Sequence, residues 1–85
     1  MSFESKLRDS KKTLRKSSQD TYFRNIKRLR RVKHELPIPQ SDHKWLLDKT
    51  LFNWYDKQPL SVRRHMSTAA NIALQVYGKE NADWR

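Results

Sequence analysis

Cysteine is absent from this 85-residue chain, and glycine occurs only once. Without cysteine the chain has neither a disulfide nor a thiolate metal site, and three scattered histidines are too few ligands for a zinc centre. One glycine is too few for a turn-rich β fold, and no segment sustains a two-residue alternation of apolar and polar side chains. These absences predict an all-α fold that is stabilised by packing and needs no cofactor.

Long apolar runs are also missing. No segment approaches the roughly 20 apolar residues that span a bilayer, and the N-terminus lacks the apolar stretch of a signal peptide. We therefore expect a soluble intracellular protein that does not enter a membrane. Since 35% of the residues are hydrophobic and nine are aromatic, one modest core can form, and the length favours a single small domain.

Motifs for catalysis are absent as well. The chain has no glycine-rich phosphate loop, no GxSxG elbow, no HExxH pair and no cysteine nucleophile. The carboxylates of Asp42, Asp48 and Asp56 are the one candidate for a metal-dependent nuclease site, but Asp48 is better explained as a helix cap and the others as solvated surface. We expect a non-catalytic protein.

Positive charge is the feature that is abundant. The formal net charge is +10, and it is concentrated in residues 1–36, which hold twelve basic and four acidic side chains. Self-repulsion of this size destabilises a free chain and is compensated when the chain lies against a polyanion. Nucleic acid is the first polyanion to consider, DNA or RNA, and an anionic membrane surface is the second.

Residues 1–16 carry cations around few apolar side chains, which predicts a basic N-terminal arm or a loosely formed helix; a solvated disordered tail is the alternative. The cations of this segment are Lys6, Arg8, Lys11, Lys12, Arg15 and Lys16. Residues 17–85 are expected to form a bundle of about four helices. The C-terminal helix of that bundle is expected to be short or truncated.

The first firm helix is predicted to begin at Ser17 or Ser18 and to end at Leu36, before two prolines. Its apolar stripe is Tyr22, Ile26, Leu29 and Leu36, and its opposite side carries Arg24, Lys27, Arg28 and Arg31. Lys33 falls inside the apolar stripe. The pattern therefore predicts an amphipathic helix with a cationic outer side. The last turn of the helix fits this pattern least well, because of Lys33.

Two further helices follow the prolines. Trp45, Leu46 and Leu47 are predicted to form an apolar clamp, after which Asp48 caps a helix that runs to about Lys57. A third helix is predicted to start at Ser61, with Leu60 as a hydrophobic staple, and to end before Gly78 as a left-handed C-cap residue. More than half of its circumference is apolar, so it should be the central helix.

The polar side of that third helix is unusual because it holds mostly uncharged hydrogen-bonding groups: Arg64, Ser67, Thr68, Asn71 and Gln75. Such a set can read base edges in a major groove, although an ordinary polar surface or a helix-packing seam explains it equally well. His65, next to Arg63 and Arg64, is a weak candidate for a phosphate contact. A fourth helix is expected from Asn81, with Trp84 lacking a partner, as if the natural chain continued.

Ser18, Tyr22, Ile26 and Leu29 have the spacing of the Thr, Tyr, Leu, Leu pattern that opens the core-binding domain of tyrosine recombinases, the phage-integrase family. The segment WLLDKTLFNWYDKQPLSVRRHMSTAANIAL resembles the middle helix, the short turn and the Ser-initiated helix of that domain. The resemblance covers about residues 15–78. The resemblance implies a SAM-like bundle that positions a recombination site. It also implies a separate catalytic domain that would follow in the same chain, and an oligomer that forms on the DNA.

We therefore predict non-catalytic binding of double-stranded DNA. The predicted contact residues are Lys11, Lys12, Arg15, Lys16, Ser17, Arg24, Lys27, Arg28, Arg31, Arg63, Arg64, Thr68, Asn71 and Gln75. The cations would contact phosphates, and the polar side of the third helix would supply any base readout. Two alternatives stay open: a small basic protein that packages nucleic acid without sequence preference, and a helical module that docks on an acidic protein.

Overall fold

Helices form all of the regular secondary structure in the part of the chain that the computed structural model describes, residues 2–79 and residue 84. The elements are α1 (Phe3–Ser10), α2 (Lys16–Arg30), a short 3₁₀ helix (Lys44–Leu47), α3 (Lys49–Asp56) and α4 (Leu60–Val76). They pack around one shared core. The prediction of an all-α helical bundle is confirmed.

The central helix is α4, as predicted. Its side chains at Met66, Ala69, Ala73 and Leu74 are almost completely buried, and the helix packs against α1, α2 and α3. Its most extensive packing is with α2, where the alanines leave room for the helices to approach closely. This arrangement leaves one polar side of α4 and the outer side of α2 facing solvent.

Residues 3–10, for which the sequence predicted a basic arm or a loosely formed helix, form α1, which is docked in the core. Ser2 caps this helix by accepting a hydrogen bond from the Ser5 amide, and the side chains of Phe3 and Leu7 are buried in the core. The Phe3 ring lies 5.1 Å from the ring of Tyr77 beyond the end of α4. Two apolar residues at a four-residue spacing are enough to dock a two-turn helix, and the surrounding charges obscured that signal.

The bounds of α2 differ from the prediction at both ends. It begins at Lys16 without a side-chain cap, and it ends at Arg30, six residues before Leu36. Lys33 explains the early end, because a continued helix would aim it at the core; instead its ammonium lies 2.9 Å from the Asp48 carboxylate. Leu36 is consequently 38% exposed and does not extend the apolar stripe.

Asp48 caps α3, as predicted, by accepting a hydrogen bond of 2.8 Å from the Thr50 amide. The hydrogen bond from Lys33 and, secondarily, the bond from Thr50 lower the pKa of this carboxyl. A lowered pKa means that the charged carboxylate stabilises the fold at neutral pH, and this contribution is lost as the pH falls through the folded-state pKa. Asp48 therefore joins the end of α2 to the start of α3.

The prediction for the start of α4 is wrong, and the prediction for its end is confirmed. Ser61 is not its cap: the N-cap residue is Pro59, no side chain caps the helix, and Leu60 is 56% exposed, so it forms no staple. At the other end Gly78 has φ +76° and terminates the helix as predicted, with the Lys79 amide donating to the Leu74 carbonyl at 2.8 Å. That pair of features is a Schellman motif.

Trp84 is buried, contrary to the expectation that it lacks a partner. Its indole N–H donates to the Leu46 carbonyl at 2.6 Å, and its ring packs on Phe52 and edge-on against Tyr55. It thereby completes the core beside Trp45 and Leu46, while Leu47 of the predicted clamp is exposed. The helix predicted from Asn81 lies outside the described residues. Within them, no helix has the length and apolar character to cross a membrane.

Candidate nucleic-acid interface

The outer side of α2 carries Arg24, Arg28 and Arg31, which we call the α2 ridge. All three are exposed, and no ion pair joins any of them to a carboxylate of residues 2–79. They lie opposite the buried side chains of Ile26 and Leu29, as the helical period predicts. The ridge therefore displays three positive charges that form no ion pair with a described acidic group.

Asp20, the acidic residue within α2, hydrogen-bonds to Arg8 of α1, and the ridge residue Arg24 acts on it only through its charge. Its carboxylate accepts a 2.8 Å hydrogen bond from Arg8, which also pairs with Glu4. The bond from Arg8 lowers the pKa of Asp20, so the carboxylate stays charged at neutral pH. This pair fixes α1 against α2 and leaves the ridge cations available to an external anion.

Lys27 departs from the predicted ridge. Its ammonium lies 4.9 Å from the centroid of the Phe23 ring, and the side chain is partly buried beside Leu36 and Ile38. Arg28 also contacts an aromatic ring, that of Trp54 at 5.7 Å, yet it remains exposed. Both cations are held over a ring, which reduces the conformational freedom lost on binding an anion, but only Arg28 is also exposed, so it is the better prepared of the two.

The predicted readout residues of α4 do share one solvent-facing side. Arg64, Thr68, Asn71 and Gln75 are all exposed. Thr68 donates its hydroxyl hydrogen to the Arg64 carbonyl, and the Gln75 amide oxygen accepts a hydrogen bond from Lys11. Asn71 makes no side-chain hydrogen bond with another described residue, so its amide is the group on this side best placed to contact a base.

The predicted arm cations lie in a folded turn that leads into α2. Lys12, Arg15 and Lys16 are exposed, whereas Lys11 is partly buried and reaches Gln75 on α4. The buried amide of Gln19 holds this turn by donating to the carbonyls of Lys11 and Leu14. The turn is therefore held against α2 by Gln19, and it brings Lys11 to α4.

Two surface depressions flank the exposed side of α4. The first, which we call the α2–α4 groove, has a volume of about 380 Å³. Its lining consists of neutral polar groups and one histidine: Ser17, Ser18, Thr21, Tyr22, Asn25, His65 and Thr68. Ser17 and Thr68, two predicted contact residues, thus line the same groove, while Ser18 and Asn25 were not predicted as contacts. Ser18 lies three residues before Thr21, and Asn25 lies four residues after it. This helical spacing indicated a neutral polar stripe along one side of α2.

The second depression lies between α3 and α4, and we call it the α3–α4 cleft. Its volume is about 440 Å³, and its lining is Tyr55, Leu60, Arg63, Arg64, Ser67 and Thr68. It brings together the two predicted arginines with Tyr55, which the sequence assigned only to the core. Thr68 borders both depressions, so the α4 side, the groove and the cleft form one continuous polar surface.

The carboxylates considered for a nuclease site are not gathered. The described residues contain no group of three or more metal-ligating side chains. Asp42 accepts a hydrogen bond from the Lys44 amide, and Asp48 caps α3. His34 lies 3.8 Å from Asp48, away from the polar surface on α4. Asp42 and Asp48 therefore have local structural roles.

Comparison of the chain with protein-family models, with curated proteins and with solved structures gives no match.

Proposed function

We propose that this chain is a non-catalytic domain that binds double-stranded DNA through the α2 ridge and the exposed side of α4. The observation that carries the proposal is the ridge, where Arg24, Arg28 and Arg31 stand exposed and unpaired with any described carboxylate. Three cations along about two turns of one helix match a run of backbone phosphates, which attract Lys and Arg regardless of base sequence.

The other cations extend this contact. Lys12, Arg15 and Lys16 are exposed at the start of α2, and Arg63 and Arg64 lie near the start of α4. Backbone contacts from several elements fix the orientation of a protein on the duplex. Single-stranded nucleic acid is the weaker candidate ligand, since most aromatic rings pack in the core and do not form an exposed stacking surface.

Base readout is assigned to α4, with Asn71 as its main reader. An Asn amide can bond both N6 and N7 of adenine in the major groove. The Gln75 amide oxygen already accepts a hydrogen bond from Lys11, and the Thr68 hydroxyl already donates one to the Arg64 carbonyl. These two side chains therefore contribute less to base readout.

The tyrosine-recombinase resemblance extends the proposal to a biological role. Of the residues that carry it, Ile26 and Leu29 are buried and Tyr22 is partly buried, which suits the core positions of that family's opening helix. In that role the domain would hold one face of a recombination site, and a separate domain would perform the chemistry. A preference for an inverted-repeat site over random duplex supports the role, whereas equal binding supports a packaging protein.

Salt dependence is the direct test of the proposed contact. If the domain neutralises about six phosphates, the logarithm of the association constant should fall with the logarithm of salt concentration at a slope of about −5. Fluorescence anisotropy with a labelled duplex across a range of NaCl concentrations measures that slope. A slope near zero, or no binding at low salt, contradicts the proposal and favours the module that docks on an acidic protein.

Asn71→Ala tests the readout assignment. We expect the variant to lose discrimination between its preferred site and random duplex by about tenfold, because one bidentate contact contributes roughly 1–3 kcal/mol of base discrimination. Binding to random duplex should stay nearly unchanged. Lys57→Ala, an exposed substitution outside the proposed interface, is the control. An equal loss on every sequence would show that Asn71 does not read bases.

A further inference from the structure

The α3–α4 cleft collects hydrogen-bond donors that no described protein group uses. Besides Thr68, whose hydroxyl bonds its own helix, the lining includes the guanidinium groups of Arg63 and Arg64 and the hydroxyl groups of Tyr55 and Ser67, and no described carboxylate lines it. Apart from Thr68, none of these side chains donates a hydrogen bond to another described residue. A cleft with many donors and no acidic lining residue is suited to an anion.

Tyr55 is the most informative member of this set. Its side chain is only 8% exposed, and its ring is fixed edge-on against Trp84 with 4.6 Å between the centroids. Its hydroxyl has no hydrogen-bond partner among the described residues, yet it is not one of the side-chain atoms closed off from solvent. Since Tyr55 lines the cleft, its hydroxyl is a donor that a group entering the cleft can use.

The arginines supply the charge. Arg63 is partly buried, and its Nε is closed off from solvent without a partner, whereas Arg64 is exposed. Neither forms an ion pair with a described carboxylate. Ser67 lies four residues after Arg63 and three after Arg64, which places all three near one side of α4. The uncapped start of this 17-residue helix adds positive potential at the same end.

We propose that the α3–α4 cleft is a binding site for one phosphate group, held by Arg63, Arg64, Ser67 and the hydroxyl of Tyr55. A phosphate offers oxygens in several directions, so it can satisfy donors that converge from two helices, which a planar carboxylate does less well. If the phosphate belongs to duplex DNA, this inference rests on the function proposed above. The other source of the same chemistry is a free phosphate or phosphate ester.

The first experiment titrates the ¹⁵N-labelled protein with inorganic phosphate at constant ionic strength, with chloride as the replaced anion, and follows amide and arginine Nε–H resonances by NMR. We expect saturable shifts centred on residues 60–68, including the Nε–H of Arg63. Shifts that chloride produces equally, or that do not saturate, overturn the proposal.

Substitutions then assign the donors. Tyr55→Phe removes only the hydroxyl and keeps the ring against Trp84, and we expect it to weaken phosphate binding about tenfold, as for a lost bond to a charged group. Arg64→Gln should weaken it about fivefold. Tyr22→Phe, in the α2–α4 groove, and Ser61→Ala, on α4 outside the cleft, are matched controls that should bind phosphate normally. Unchanged affinity in both cleft variants overturns the assignment.

A duplex added to the phosphate-saturated protein separates the two sources. Displacement of phosphate by duplex, with Tyr55→Phe weakening both ligands, identifies the DNA backbone as the source. Phosphate binding without any duplex binding identifies a free phosphate or ester, in which case the cleft stands and the proposed function falls. Salt-dependent duplex binding without saturable phosphate binding leaves the proposed function intact and overturns the cleft.

Discussion

Leu7→Ala is expected to destabilise the protein by about 3 kcal/mol, within the range for Leu-to-Ala changes in a closed core. The Leu7 side chain is completely buried, and α1 packs against both α2 and α4. A domain of this size has a free energy of unfolding of roughly 4–13 kcal/mol, so the loss is a large fraction of the total. Urea unfolding followed by circular dichroism measures it.

Leu14→Ala is the matched control, since it makes the same chemical change only seven residues away. Leu14 is 37% exposed in the turn between α1 and α2, so we expect its substitution to cost at most about 1 kcal/mol. If Leu7→Ala leaves too little folded protein to measure, Leu7→Met should fold and cost less than about 1.5 kcal/mol. Equal small effects of the two alanine variants would mean that residues 3–10 do not belong to the core.

The helices that the sequence predicted well are those with dense local signals. α4 has apolar residues over more than half of its circumference and a glycine at its end, and α3 has an aspartate cap before an apolar run. Each signal acts within a few residues, so it can be read without knowledge of the fold. The central place of α4 followed from the same pattern.

The wrong predictions concern features that depend on distant partners. α1 exists because Phe3 and Leu7 find the core, and the early end of α2 depends on Lys33 reaching Asp48 fifteen residues later. The burial of Trp84 likewise depends on the Leu46 carbonyl and on the rings of Phe52 and Tyr55. Tertiary contacts of this kind override local propensity, and short segments are affected most.

The sequence predicted which types of residue form the candidate interface better than it predicted how they are arranged. Helical periodicity placed Arg24, Arg28 and Arg31 on one side of α2, and it placed the polar residues of α4 together. It had no means of showing that Lys27 turns toward Phe23, or that Tyr55 from α3 lines the same cleft as the arginines of α4. Both facts arise from packing between elements.

The cations have two roles: some stabilise the fold through ion pairs, and others are proposed to bind DNA. The Arg8–Asp20 ion pair connects α1 to α2, and the Lys33–Asp48 pair connects the segment after α2 to the cap of α3. The ridge arginines connect nothing to a described acid, so their removal relieves mutual repulsion and should not unfold the protein. A loss of DNA binding after ridge substitutions can therefore be attributed to the interface.

Replacing Arg24, Arg28 and Arg31 together by Gln is expected to weaken duplex binding by roughly 100-fold at moderate salt, because three phosphate contacts are lost at once. The magnitude of the salt slope should fall by about 2.7, which is 0.9 for each lost contact. Binding should decrease alike for every DNA sequence, since phosphates carry no base information. Anisotropy titrations of a specific and a random duplex at several NaCl concentrations measure all three effects.

The matched control replaces Lys44, Lys49 and Lys57 by Gln, which changes the net charge equally but on exposed positions around α3. If binding depends on where the cations lie, this variant should keep most of the affinity and slope of the natural protein. If it depends on net charge alone, both triple variants should lose affinity to the same extent, and α2 would have no special place in the interface. Thermal unfolding of both variants, compared with the natural protein, checks that each difference arises in the folded state.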